Sequence, residues 1–381
     1  MNSSYPVAFL SLLLSGCVAP SAASVAPPPQ ARVQAPPTPV AVIQPLPAPT
    51  PAPLPPKPQA DTAALDASID ALGRAFPGDV GIAITDVYGG WTVEYDGESL
   101  FPQQSVSKLW VALTALDQVR SGKLSLQTPV RLTQADLVVF NQPLAARLRN
   151  GAYVTTVEDL IDRAMTQSDN LANDKLLWTV GGPAAVRATL AKWGVTGVRF
   201  GPGERLLQAG IAGVTWRDSL AGGRGLEAAR AQLSLSVRQA SLDRYLRDPV
   251  DGAAPAGIAR ALAKLKKGEL IGDDLGERLL TIMGRTRTGP QRLKAGTPPG
   301  WLFAHKTGTG QVLGSLGTGY NDVALVTAPD GTSYGVAVMI GSTRAGIPER
   351  QRFMQEVMRT LGRWKTAQDF RARFGTTAAT P

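Results

Sequence analysis

The sequence predicts an α+β fold, in which an antiparallel sheet is built from strands near both ends of the body and an all-helical subdomain is inserted between them. Two observations carry this expectation. Alternating apolar runs occur early, in "DVGIAITDV" and "WTVEY", and return only late, in "WLFAHKTG", "YNDVALVTA" and "SYGVAVMIG". Between the two groups, apolar residues recur at helical rather than strand spacing. No internal repeat competes with this pattern.

The chain has 381 residues, and its first sixty carry no core-forming pattern. They open with "PVAFLSLLLSGC", an apolar run too short to span a bilayer, which reads as the h-region of an export signal. Its end, Leu14-Ser15-Gly16-Cys17, resembles a bacterial lipoprotein processing site, with residues 1–17 as the signal and Cys17 as the lipidated residue. "MNSSYP" lacks the usual basic residues, and an ordinary signal cleaved near "SAAS" is the alternative. Residues 18–60 are dominated by Pro and Ala, a composition that favours extended polyproline conformation and reads as a tether. The expected location is periplasmic, held to a membrane through the lipid.

The body is expected over 61–365, with 366–381 as a C-terminal tail. In "TAALDASIDALGRAF", Leu65, Ile69, Leu72 and Phe76 share one helical face. "DVGIAITDV", a Gly-Gly turn and "WTVEY" then read as a hairpin. Leu109, Leu113 and Leu116 mark a helix after "FPQQS", with Gly122 as its stop. Further helices are expected at 157–166, 183–193, 226–246 and 255–267. A Pro-Asp-Gly turn joins the last two strands, and a helix from about Pro348 to Trp364 closes the body.

Composition excludes some functions. Cys17 is the only cysteine, so neither an intramolecular disulfide nor a thiolate metal cluster is possible. The net charge of +9 is carried by dispersed arginines without a lysine block or an aromatic-basic stripe, which argues against nucleic acid. A single histidine, His305, rules out Ser-His-Asp chemistry unless His305 is itself the base.

Ser105 and Lys108 lie three apart at a helix start, so the amine could neighbour the hydroxyl and activate it as a nucleophile. Alone, the pair reads rather as surface residues at the start of an amphipathic helix. Three further signals follow in order: Ser168-Asp169-Asn170 between two helix patterns, Glu204 in the Gly/Pro-rich "GPGERLLQ", and Lys306-Thr307-Gly308-Thr309 at a strand end. Together they form the signature set of penicillin-recognising serine enzymes.

On these motifs the body, from about Asp61 to Lys365, resembles a class A β-lactamase; "DPVDGAAPAGIARALAKLKKGEL" and "PERQRFMQEV" are similar to family helices. Gln104-Ser105-Val106 and Asp174 look more like the second subclass. The resemblance implies a two-part fold with the site in the cleft between its parts. It implies Ser105 as nucleophile, backbone N–H groups of Ser105 and Thr309 as oxyanion hole, and Lys108, or Glu204 through a water, as the acylation base. Ser168, aided by Lys306, would pass a proton to the lactam nitrogen. Lys306, Thr307 and Thr309 would receive the substrate carboxylate, and Asn170 would donate to its side-chain carbonyl. Glu204 would activate the hydrolytic water. No metal or organic cofactor is implied, and the expected protein is a monomer acting on a small β-lactam.

The sequence also departs from the family pattern. Gln208 stands where Asn is usual, Asp174 stands near Glu204 where Asn is commoner, and Pro202 replaces a loop arginine. Much of the stretch between Gln208 and Asp251 is extra. Leu316 lies near the usual carboxylate-binding arginine, and Arg292 matches an arginine that substitutes for it; an ordinary helix-surface role is the alternative. Asp169 and His305 read as structural groups, and Arg344 as a solvated loop charge. Two other functions share most of the motifs: a D,D-peptidase acting on peptidoglycan, which would lack the Glu204 base, and a penicillin sensor that acylates and stalls.

Overall fold

The computed structural model describes residues 61–375. Helix α1 (Ala63–Ala75) leads into the expected hairpin of β1 (Gly78–Asp86) and β2 (Thr92–Tyr95). A short β3 (Phe101–Pro102) precedes a 3-10 turn, Gln104–Ser107, which runs directly into α2 (Lys108–Arg120). Every residue from Lys108 to Asp117 is buried, so α2 is the axis of the helical subdomain rather than an amphipathic surface helix. Next comes a hairpin absent from the sequence reading, β4 (Pro129–Leu132) with β5 (Tyr153–Thr156). Its long connection carries no tight-turn signal. Helices α3 (Val157–Thr166), α4 (Asn170–Thr179) and α5 (Gly182–Lys192) pack around α2.

The chain then forms α6 (Glu204–Ala212), and the extra stretch behind it carries α7 (Gly225–Ala231) and α8 (Leu235–Arg247). The single helix expected over 226–246 is therefore two. Ser234 restarts it, its side chain accepting from the Val237 backbone N–H as an N-cap. After β6 (Gly252–Ala253) come α9 (Pro255–Lys266) and α10 (Asp273–Gly284), then β7 (Leu302–Gly308), β8 (Val312–Leu313), β9 (Leu316–Thr327), β10 (Ser333–Thr343) and α11 (Ile347–Phe374). The tail expected from residue 366 is corrected here: α11 continues to Phe374. Lys365 fixes the extension, paired with Asp369 one turn on (2.5 Å) and with Asp330 (2.6 Å).

The sheet runs β2-β1-β10-β9-β7, with β8 on β9, and every pairing is antiparallel. Because side chains alternate along a strand, β1 sends Ile82 and Ile84 to one face and Ala83 to the other. The first face packs with Leu65, Ile69, Met354 and Val357 of α1 and α11. The second, with Val323, Leu325, Ala337 and Met339, packs on α9 and the helical subdomain. Gly335 permits that closeness, since a Cβ there would lie 2.3 Å from the Ala259 carbonyl oxygen. The predicted fold class therefore holds, and the Ser105 turn and the end of β7 meet where the two parts join.

Candidate active site

Gln104 has a left-handed backbone, φ 54°, which costs a non-glycine residue roughly 1–2 kcal/mol. The structure holds it by main chain and side chain together. Its N–H donates to Asp251 Oδ2 (2.8 Å), its Nε2 donates to Tyr245 Oη (2.6 Å), and its Oε1 accepts from Gln208 Nε2 (3.0 Å). Gly308 lets β7 press against this turn, because a Cβ there would come within 2.4 Å of the Gln103 carbonyl oxygen. The turn thus presents Ser105 to a cleft of about 280 Å³.

Lys108, the first residue of α2, is 1% exposed. Its Nζ contacts Ser105 Oγ at 2.7 Å and donates to Asn170 Oδ1 at 2.9 Å. Burial pushes its pKa down, opposed by the nearby carboxylates of Glu204, Asp169 and Asp174. A lysine pushed toward its free base can accept a proton from a hydroxyl in contact with it.

Ser168 also has a left-handed backbone, φ 55°, steadied by Asn141, whose Nδ2 donates to the Gln167 and Ser168 carbonyls. Lys306 Nζ donates to Ser168 Oγ at 3.0 Å. Asp169 is structural, as its sequence context suggests: it caps α4 by accepting from Ala172 N–H and also accepts from Leu144 N–H (2.6 Å). Asn170 differs from expectation. Its Nδ2 donates to both Glu204 Oε1 (2.8 Å) and Val139 O (2.9 Å), so no amide proton is free for a substrate carbonyl. Here it bridges Lys108 to Glu204 instead.

Glu204 opens α6, directly after Gly203. Asp174 accepts from the Glu204 backbone N–H (3.2 Å) and, through its other oxygen, from Trp178 Nε1 (3.2 Å). A carboxylate therefore braces the N-terminus of α6, where the helix dipole favours negative charge, in a loop whose usual arginine is Pro202. Burial raises the Glu204 pKa, and the charges of Asp174 and Asp251 add to the rise while Lys108 opposes it. Asp174 is raised as well, by burial, which the hydrogen bond from the Glu204 N–H and the nearby Arg205 charge oppose; its carboxylate pushes Glu204 up, while its own rise comes from desolvation.

On β7, Lys306 is fully buried and its pKa is driven well down by desolvation, then by the like charges of Lys108 and Arg292. Thr307 Oγ1 pairs with Thr288 Oγ1 (2.6 Å). Arg292 is no helix-surface residue: it precedes a 3-10 turn and is 7% exposed. Its guanidinium donates to the Gly308 and Asn321 carbonyls (2.7 and 2.6 Å) and to Thr309 Oγ1 (2.6 Å), above the Tyr320 ring. It therefore meets the cleft mainly through Thr309. His305 pairs its Nδ1 with Asp322 (2.9 Å) beneath the strand, away from Ser105 chemistry. Leu316 is packed with Leu313, Leu207 and Leu242, and Arg344 donates to Ser315 at the surface.

All nine expected catalytic and substrate-contact residues thus gather at one cleft or directly behind it. Cys17 lies outside the described residues. Sequence reasoning missed Tyr245, Gln311, Thr288 and Asn141, none of which sits in a recognisable motif. Gln311 Nε2 donates to the Gln208 carbonyl (2.9 Å) and side chain (3.0 Å), tying α6 to the loop after β7. Among the described residues, no cluster of His, Cys, Asp and Glu could hold a metal ion.

Fold and site together match a serine hydrolase: a serine hydroxyl, the buried lysine beside it and a buried carboxylate share one cleft. The chain belongs to the beta-lactamase enzyme family, whose model matches residues 64–364. It is accordingly a hydrolase of β-lactams of the class A serine type. Beta-lactamase VEB-1 of Pseudomonas aeruginosa is 23% identical over 299 residues, covering 78% of this chain and 89% of that one. Among solved structures, a β-lactamase from Chitinophaga pinensis is 26% identical with a TM-score of 0.63, covering 81% of this chain and 100% of its own. An ancestral class A β-lactamase is 27% identical with a TM-score of 0.63, covering 78% and 99%.

Proposed function

We propose that hydrolysis runs through an acyl-enzyme on Ser105, with Lys108 as acylation base and Glu204 as deacylation base. The observation that carries this reading is the chain Ser105–Lys108–Asn170–Glu204, whose contacts of 2.7, 2.9 and 2.8 Å link the nucleophile to both bases. Lys108 takes the hydroxyl proton as Ser105 Oγ bonds to the lactam carbonyl carbon. The carbonyl oxygen gains negative charge between the N–H groups of Ser105 and Thr309. The C–N bond then breaks, and the ring nitrogen takes a proton from Ser168, which Lys306 replenishes. In the second half, Glu204 removes a proton from water as that water attacks the ester; the ester C–O bond breaks as Ser105 recovers its proton from Lys108, and the proton left on Glu204 returns to Lys306 through solvent.

The substrate carboxylate is assigned to Thr307 and Thr309, with Lys306 and Arg292 supplying positive charge behind the hydroxyls. Asp174 bracing Glu204, with Gln104 before the nucleophile, favours the second subclass of class A. Residues 1–17 are read as a lipoprotein signal, so that lipidated Cys17 and the Pro/Ala stretch tether a monomeric enzyme in the periplasm.

Ser105→Ala is the test. It is expected to abolish turnover and covalent labelling by penicillin, read by intact mass. Labelling of the variant at the normal rate would place the nucleophile elsewhere. Wild-type enzyme that labels and never releases product would favour the penicillin sensor.

A further inference from the structure

The extra segment reaches the nucleophile through one side chain. Leu242 and Tyr245 of α8 pack with Leu207 and Ile211 of α6 and with Leu313, so the inserted helix is fixed against the rim of the cleft. From there the buried Tyr245 hydroxyl accepts from Gln104 Nε2 (2.6 Å) and donates to Asp251 Oδ1 (2.9 Å). The other Asp251 oxygen receives the Gln104 backbone N–H (2.8 Å). Backbone and side chain of the same left-handed residue are therefore clamped by one Tyr–Asp pair. Ser107 Oγ donates to the Gln104 carbonyl (2.7 Å), which lies in the same peptide plane as the Ser105 N–H.

We propose that Tyr245 is a positioning residue for the oxyanion hole: by holding Gln104 left-handed, it aims the Ser105 N–H at the developing oxyanion. The reason is geometric. The Gln104 dihedrals set the tilt of the Gln104–Ser105 peptide, and the N–H of that peptide is one of the two donors. A glutamine released from its clamp would relax toward the ordinary right-handed or extended regions and turn the donor away. The inserted segment would thus tune catalysis without touching substrate. The inference rests on the assignment of Ser105 and its N–H in the preceding reading.

Because the oxyanion forms in both half-reactions, loss of aim slows both. Tyr245→Phe keeps the ring and removes only the hydroxyl. Acylation and deacylation constants, measured by rapid-quench mass spectrometry and normalised to penicillin-titrated sites, are expected to fall together by about tenfold. That is a fraction of the roughly 10²–10³ lost when an oxyanion donor is deleted. In a Gln104→Gly background, where positive φ carries no penalty, adding Tyr245→Phe is expected to change either constant by less than about twofold. If Tyr245→Phe does not fold, Gln104→Met removes the same clamp from the other side and should give the same parallel fall.

A fall in deacylation alone would overturn the proposal, since the hydroxyl would then act on Glu204 through Gln208. An undiminished fall in the Gln104→Gly background, or constants unchanged per titrated site, would overturn it equally. Peptide mapping of the penicillin label separates the two layers. Label away from Ser105 sinks the nucleophile assignment, whereas label on Ser105 with unperturbed constants sinks only the role of Tyr245.

Discussion

Glu204→Gln separates the two half-reactions. The substitution keeps size and shape but leaves a neutral amide, which cannot accept a proton from water. A positioned general base contributes about 10²–10⁴-fold, so the deacylation barrier should rise by about 3–5 kcal/mol. Asp174 is a poorer base for this water, because its side chain is shorter and both oxygens already accept, from the Glu204 backbone N–H and from Trp178 Nε1. Acylation should survive. Lys108 keeps its 2.7 Å contact with Ser105, and losing the Glu204 charge removes an influence that raises the Lys108 pKa. More of the lysine is then free base. The assay is intact-mass spectrometry during turnover of a good penicillin, wild type against variant. The variant should accumulate as acyl-enzyme, with acylation altered by less than about tenfold. Rapid return to the free mass would mean another group is the hydrolytic base. Acylation falling as far as deacylation would mean that Glu204, not Lys108, activates Ser105.

The same carboxylate predicts a pH effect. Glu204 must be ionised to act, so deacylation fails as pH falls through its raised pKa; Asp174→Asn removes a charge that raises it, and the acid limb of kcat should move to lower pH. A limb that stays put or moves upward in the kcat–pH profile would refute this. Arg292→Ala should raise KM more than it lowers kcat, because contact through Thr309 exists in ground and transition states alike. It should also cost about 2–3 kcal/mol of stability by thermal melts, since two buried carbonyls lose their donor; unchanged kinetics would confine Arg292 to structure. Cys17→Ser should move the protein from the membrane fraction to the soluble periplasmic fraction, and retention in the membrane to the same extent would dismiss the lipid anchor.

By itself the sequence determined the fold class and picked out motif residues that meet at one cleft. Strand and helix periodicities are local, and they located β1, β2, β7, β9 and β10 and most of the helices, within a few residues. The serine–lysine pair, the Ser-Asp-Asn run, Glu204 and the Lys-Thr-Gly run were legible because each keeps short-range spacing that its chemistry requires. Local signals misled where two patterns abutted: Ser234 as a cap was hidden within a long helical run, and the close of α11 depended on Lys365 finding Asp330 in a distant turn. What only the tertiary structure decided were contacts between residues far apart in sequence. Asn170 spends both amide protons within the protein, on Val139 and Glu204. Arg292 is drawn under β7 by carbonyls of β7 and β9. Tyr245 meets Gln104 across 141 residues. Such pairs leave no periodic trace, because a hydrogen bond made after the chain has collapsed depends on which surfaces pack together, and not on spacing along the chain.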